Sequence, residues 1–506
     1  MEEVKSFGEY RIRTARTMGS QDSHMTQSDL FTWSMEQDPN LRSTIVTVLV
    51  LDTEPDWDRL LRMVDRGTRA VPRFRHRLVA APWGLAPPRW VPDADFDLHW
   101  HVRHLALPGP ADLSAVLEFA RTEVMSAFDP ARPLWRFTVL GGLDGGGSAL
   151  VLKVHHSLTD GVGGIEIAGE MLDFTRAGTV HGPVPDPARP GGGVLGDIVA
   201  WNWSVGTDLV RAGIGAISPM ARRAVTDPVG AIRDSAALAE SLLRLARPIT
   251  RTLSPLMTER SLGRRLTVLD VPLAELQRGA HRAGCTVNDA FLAAVLIGLR
   301  DYHGRHGRSV EHLRVAMPIS LRRASDPLGG NRITLARFAV PAGVDAAVDL
   351  MRALDTVVER WRREPAIPLS NAVAATFNRL PVTLLTGMFK HVDFVASDVP
   401  GSPVALYVAG AKVERIYPFG PTTGTAFNIT LISHVGTCYI GINSDTAAVP
   451  DPMRLTDCVA EGFRTIAAIG TDGDDHPPRP QNPVVGSQRP VAPTPGDLRP
   501  GAATAT

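Results

Sequence analysis

The chain has 506 residues, 44% of them hydrophobic, enough to bury two cores, so two domains with appendages are expected. Its 53 basic residues balance 53 acidic ones, and the zero net charge excludes a global pull toward nucleic acid. The basic set is 49 arginines and only four lysines, a bias that accompanies abundant Ala, Gly and Pro in GC-rich coding and says little about binding.

Residues 1–24 are assigned no fold. No apolar run reaches the roughly 18 residues of a spanning helix, and Glu2, Glu3, Lys5 and Glu9 interrupt any signal-peptide core. Three dispersed cysteines, Cys285, Cys438 and Cys458, suit a reducing compartment. The expected location is the cytoplasm or a membrane surface.

A first domain spans residues 25–185, with Thr44 to Leu51 a strand candidate. Leu134 to Leu140 and Ala149 to Val154 are apolar and rich in β-branched residues, and Asp144-Gly145-Gly146-Gly147 between them supplies the positive φ of a reversing turn. This predicts a hairpin. Trp135 either fills its core or lines a channel for substrate. The second strand runs into Val154-His155-His156-Ser157-Leu158-Thr159-Asp160-Gly161. Thr159 or Asp160 can cap a helix beginning near Gly163, whose Ile165, Ala168, Met171 and Leu172 fall at helical spacing. Two imidazoles and a carboxylate therefore stand on a strand-to-helix turn. Successive strand residues point to opposite faces, so at most one histidine faces a given cavity: one reacts and one supports. A neutral imidazole with a pKa of about 6.5 can take a proton from an alcohol at physiological pH, worth roughly 10² to 10⁴ in rate. Packing as core or surface filler is the plain alternative for such a pair.

Residues 186–265 connect this domain to the next. From Trp201 to Arg265, ten arginines and five acids interleave with Leu209, Ile214, Leu238, Leu242 and other apolar residues, which predicts partly helical, basic amphipathic structure. Its apolar stripes either pack on the protein or hold it on an anionic membrane or lipid droplet. A second domain spans residues 266–472 and mixes helix candidates, Asp289 to Tyr302 and Ala346 to Arg362, with strands such as Arg332 to Val340, so the fold class is mixed α/β. Asn288 stands before the apolar run Ala290 to Leu296. Its amide either caps that helix, as Thr286 and Asp289 also can, or donates to an oxyanion. Leu380 to Phe389 is an apolar stretch that either packs in the core or walls an apolar cavity. Val399-Pro400-Gly401 and Tyr417-Pro418-Phe419-Gly420-Pro421 read as rigid turns, with Asn428 and Asn443 as hydrogen-bonding side chains nearby. Residues 473–506 read as a disordered tail, with eight prolines from His476 onward.

Several chemistries fail on pattern. None of Lys5, Lys153, Lys390 and Lys412 lies in a Gly-rich phosphate loop, and Glu166 stands where the third glycine of a dinucleotide fingerprint belongs. There is no Gly-x-Ser-x-Gly elbow. His155, His156 and Asp160 would need further ligands to hold a metal, so none is expected.

His155 to Gly161 match the His-His-x-x-x-Asp-Gly motif of acyl-CoA-dependent acyltransferases related to chloramphenicol acetyltransferase. Several families share that motif, and an ordered series narrows the choice. It comprises Thr26-Gln27-Ser28-Asp29-Leu30-Phe31, Pro133-Leu134-Trp135, the histidine motif, Val287-Asn288-Asp289-Ala290, Pro318-Ile319-Ser320-Leu321-Arg322, Gly330-Asn331, Asp398-Val399-Pro400-Gly401 and Gly441-Ile442-Asn443-Ser444-Asp445. Over about residues 25 to 470 the chain resembles bacterial wax ester synthase/diacylglycerol acyltransferases.

The resemblance implies two chloramphenicol-acetyltransferase-like sandwich domains with the active site in the tunnel between them. It implies that His156 deprotonates an acceptor hydroxyl for attack on an acyl-CoA thioester, with no covalent enzyme intermediate. His155 would orient or pack beside it, and Gly161 would let the backbone turn tightly. Asp160 would be structural, paired with an arginine for which Arg322 is the candidate; the alternative is a relay in which Asp160 orients His156 directly. Asn288 matches the family's Asn-Asp motif as an oxyanion donor, and Asp289 and Trp135 are expected near substrate. Acyl-CoA is then a substrate, with diacylglycerol or a fatty alcohol as acceptor and no cofactor. Two other readings stay open: a carrier-protein-dependent acyltransferase of a hydroxylated metabolite, and a non-catalytic lipid-binding protein of the same fold.

Overall fold

The computed structural model describes residues 24–81, 86–180, 240, 249–320, 333–364, 378 and 389–469. Arg322, Gly330-Asn331, most of the connecting segment and residues 380–388 lie outside the described residues. In chain order the first half contains α1 (Gln27–Met35), β1 (Thr44–Leu51), α2 (Trp57–Ala70), β2 (His76–Val79), β3 (Arg89–Pro92), α3 (Leu98–His101), β4 (Val102–Ala111), α4 (Leu113–Met125), β5 (Trp135–Leu143), β6 (Ser148–His155) and α5 (Gly161–Met171). The second half contains β7 (Arg264–Pro272), α6 (Leu273–Ala283), α7 (Val287–Arg305), β8 (His312–Ser320), β9 (Ile333–Pro341), α8 (Ala347–Arg362), β10 (Phe394–Val399), β11 (Tyr407–Val408), β12 (Ala411–Phe419), β13 (Phe427–His434), β14 (Thr437–Asp445) and α9 (Pro452–Ile469).

The expected hairpin is β5–β6, antiparallel from Trp135 opposite Val154 to Leu140 opposite Ala149. Gly145 and Gly146 take φ near +80° in its turn, a conformation that costs other residues a Cβ clash. β1 lies along the other side of β6, Thr44 opposite His155 and Leu51 opposite Ser148.

Two six-stranded mixed sheets result, ordered β11-β12-β1-β6-β5-β4 and β7-β14-β13-β10-β8-β9. Although β11 and β12 come from the second half of the chain, they complete the first sheet: β12 pairs with β1, Val46 opposite Phe419. The cause is apolar burial, because Val413, Ile416, Tyr417 and Phe419 all sink into the first core. Tyr417 to Phe419 are thus strand, and the turn begins only at Gly420. Where β12 passes the second sheet the two backbones touch. A Cβ on Gly441 of β14 would lie 2.0 Å from the Pro418 carbonyl oxygen.

The second core is built around α7, whose residues Ala290 to Leu296 are all buried. A helix apolar on every side belongs in an interior, which accounts for this run without any role for substrate. Among the described residues no single helix is long and apolar enough to cross a membrane; α6 and α7 pass such a test only as a pair bent by 98°.

Candidate active site

The histidine turn lies at the seam between the sheets. The His155 N–H donates to Leu134 O and the His156 N–H to Ser43 O, at 3.0 and 2.9 Å, so the end of β6 is held on both sides. The two imidazoles then part company. His155 is completely buried, with Nδ1 2.7 Å from Ser157 Oγ and Nε2 3.2 Å from Glu36 Oε1. Trp33 and Phe128 meet its ring edge-on. With both nitrogens engaged, this ring supports. Burial alone would raise the Glu36 carboxyl, but the His155 contact, the Ser43 N–H and Arg42 hold it below the ordinary range.

His156 is half-buried, and its Nδ1 is enclosed. Burial pushes its pKa below the usual histidine value, outweighing the upward pull of Asp160, of its own carbonyl and of Asp29. The ring is therefore neutral near pH 7 and able to accept a proton. Asp160 is the N-cap of α5, its Oδ1 accepting from Gly163 N at 2.7 Å. Its influence on His156 is that of a nearby charge. Arg322, the partner expected for Asp160, is outside the described residues.

Gly161 does not adopt a positive φ, so the tight turn expected there is not what calls for glycine. A Cβ at Gly161 would stand 3.0 Å from Val399 Cγ2, so glycine lets the helix start approach the end of β10 in the second sheet. Val399-Pro400-Gly401 is close-packed in the same way: a Cβ on Gly401 would meet Ser433 O at 1.6 Å.

In the second half, Asn288 stands at the start of α7. Thr286 is the N-cap of α7 and forms a reciprocal capping box with Asp289, whose carboxylate accepts from Thr286 N at 2.9 Å and Oγ1 at 2.6 Å. Asp289 is thereby committed to the helix start rather than to substrate. The cap needs nothing from Asn288, whose Nδ2 is buried and unpartnered. A buried amide donor without an acceptor is costly and calls for a function. Trp135 occupies the core place of the two open to it: fully buried, it donates from Nε1 to Phe74 O at 2.7 Å and stacks on His101 at 4.4 Å. Asn428 and Asn443, opposite one another on β13 and β14, hold the turn after β12 by donating to Pro421 O and Gly420 O.

Two residues near the histidines escaped the sequence reading. Glu36 follows α1 with no motif around it. Arg73 bridges the buried Asp29 carboxylate and the Ser157 carbonyl, at 3.2 and 3.3 Å. Neither has a local signal, because each meets its partners only through the fold.

A two-sheet mixed α/β fold with the His-His-x-x-x-Asp-Gly turn at the sheet seam is an acyltransferase architecture. Residues 25–291 match the wax ester synthase/diacylglycerol acyltransferase catalytic domain and residues 329–467 the WS/DGAT C-terminal domain, and the chain belongs to this family of acyltransferases. A Mycobacterium tuberculosis H37Rv protein provisionally named a diacylglycerol O-acyltransferase is 35% identical over 441 residues, covering 86% of this chain and 89% of that protein. Another from the same strain, similarly named, is 29% identical over 433 residues, 81% of this chain and 89% of its own length. Among solved structures, the wax ester synthase/diacylglycerol acyltransferase of Marinobacter aquaeolei VT8 superposes with a TM-score of 0.60 at 21% identity, covering 88% of this chain and all of that one. The first condensation domain of the calcium-dependent antibiotic synthetase shares the fold, with a TM-score of 0.58 at 16% identity over 89% of this chain and 97% of its own.

Proposed function

We propose that this acyltransferase uses acyl-CoA to esterify diacylglycerol, a long-chain alcohol or both, forming triacylglycerol or wax ester, with His156 as general base. The observation that carries the proposal is the state of His156: neutral through burial, with Nδ1 enclosed, beside a fully bonded His155. A substrate proton reaches such a ring at Nε2. The imidazole takes the proton of the acceptor hydroxyl as its oxygen attacks the thioester carbonyl, and the Asn288 amide donates to the oxyanion that forms. Collapse of that intermediate breaks the carbon–sulfur bond and forms the ester. The departing thiolate takes the proton back from the imidazolium, so no net proton is consumed.

The test is release of free CoA from palmitoyl-CoA by wild type and His156→Ala, with diacylglycerol or hexadecanol presented in vesicles and the lipid products separated. Acceptor-dependent release should fall at least about 10²-fold in the variant while its melting temperature holds. Turnover retained in folded His156→Ala would remove the base from the mechanism.

A further inference from the structure

The peptide units that follow His156 are gripped one after another. The Ser157 N–H donates to His155 Nδ1 at 3.1 Å, and the Leu158 N–H donates to His155 O at 2.9 Å. The Ser157 carbonyl, on the residue directly after His156, accepts from a side chain brought in from 84 positions away, Arg73 Nη1 at 3.3 Å. These contacts fix the backbone on the C-terminal side of His156, and the Ser43 carbonyl fixes it on the other through the His156 N–H. The direction in which the imidazole leaves the turn follows from both.

Arg73 is well anchored for such a task. It lies on the short helical turn Pro72–Arg75 between α2 and β2, where its neighbour Phe74 sinks into the first core. Its guanidinium carbon stands 5.2 Å from the centre of the Trp90 ring, a cation over an aromatic face. The same Nη1 that reaches Ser157 is 3.2 Å from Asp29 Oδ2. Asp29 is fully buried in the first turn of α1, where a negative charge is favoured. It belongs to the Thr26 to Phe31 segment of the ordered series, and no step of the reaction uses it. A buried ion pair costs roughly as much in desolvation as it returns, so stability does not account for this one. Nor does neutralising Asp29 call for a second contact on Ser157. What the bridge adds is orientation, because one nitrogen ties the start of α1 and the turn after α2 to the residue that follows the base.

We infer that Arg73, anchored by Asp29, is a positioning residue that fixes the aim of the His156 ring through the Ser157 carbonyl. The inference rests on His156 as the base proposed above. Removing Arg73 alone would strand a buried carboxylate, so the test removes both charges together in the double variant Asp29→Asn, Arg73→Met. Asparagine keeps an oxygen at position 29 and methionine keeps an apolar stem at 73, so the protein should fold. Its kcat should fall about 10- to 100-fold, the usual cost of a displaced catalytic group, with KM for palmitoyl-CoA and for the acceptor within about twofold of wild type. The matched control is Asp173→Asn, Arg59→Met, an ion pair that ties residues 173–176 to α2 and does not touch the histidine turn; its kcat should hold. Wild-type kcat in the first double variant, a loss that appears in KM, or an equal loss in the control would each overturn the assignment. Should the first double variant not fold, Arg73→Lys replaces it, since an ammonium keeps a charge beside Asp29 but ends an atom short of Nη1. A lower kcat at unchanged KM would then support the bridge, and wild-type kcat would refute it. If His156→Ala keeps full turnover, the base reading fails separately. The ring is then followed directly by its Cε1–H resonance in histidine-labelled protein, assigned with His156→Gln. A resonance displaced in the first double variant and not in the control would support the inference, and one that stays in place would refute it.

Discussion

On its first-sheet side the seam is lined by ionisable groups that hold one another, Glu36 against His155 and Arg73 between Asp29 and the Ser157 carbonyl. On the second-sheet side the amides Asn428 and Asn443 hold the turn after β12, Asp270 accepts from the Tyr417 hydroxyl, and close backbone approach at Gly401 and Gly441 does the shaping. The contrast assigns different work to the two halves. The first surrounds His156 with the charges that bias its protonation, and the second supplies amides and close-packed backbone. Near the end of β10 the Asp398 carboxyl is pushed up to about 6 by burial. Alternation along β10 sets it on the face of Phe394 and Ala396, toward the second core, and away from the Val399 face that meets Gly161.

The division can be broken most severely at Asn288. Asn288→Ala should lower kcat by about 10²- to 10³-fold, in line with loss of one oxyanion donor. It should leave the pH profile in place and cost no thermal stability, since Nδ2 bonds nothing in the protein. A kcat within a fewfold of wild type would assign the amide another purpose. A smaller effect of another kind is expected at Gly441, where an added methyl would force β14 from the Pro418 carbonyl. Gly441→Ala should destabilise by about 1–3 kcal/mol, the usual cost of overpacking, measured by urea titration. Gly109→Ala, where a Cβ meets nothing within 4 Å, is the matched control. Equal stability of the two variants would show that the backbones at the seam can separate freely.

What could be read from the chain beforehand follows the range of the interactions involved. The β5–β6 hairpin and the Asp160 cap were legible because their signals lie within a few residues of one another. Asn288 was legible as chemistry but not as placement, since Thr286, Asn288 and Asp289 all suit a helix start and only the reciprocal box leaves the amide over. The Glu36–His155 contact spans 119 positions and the Arg73–Ser157 contact 84, beyond any local pattern. β12 misled for a physical reason. Pro418 argues against a strand interior, yet β11 pairs only with Lys412 and Ala411, so at Pro418 β12 has a ladder partner on the β1 side alone, the kind of position where a sheet tolerates proline.

The smallest effect gives the sharpest reading of the first-sheet side. In wild type, kcat/KM should be flat near neutrality and fall as pH drops through the His156 pKa, which burial has moved below the ordinary 6.5. Asp160 pulls that pKa upward, as Asp29 does, while His155 opposes them. Asp160→Asn keeps an N-cap oxygen for Gly163 N and removes the charge, so the imidazole should be harder to protonate and the acid limb should move further down. Asp398→Asn serves as control, because that carboxyl, pushed up to about 6, does not face the ring. A relay in which Asp160 orients the imidazole predicts something different, a fall in kcat of about 10⁴-fold with Asp160→Asn. The pH profile and the plateau rate of one variant therefore separate an aspartate that acts by its charge from one that acts by its hydrogen bond.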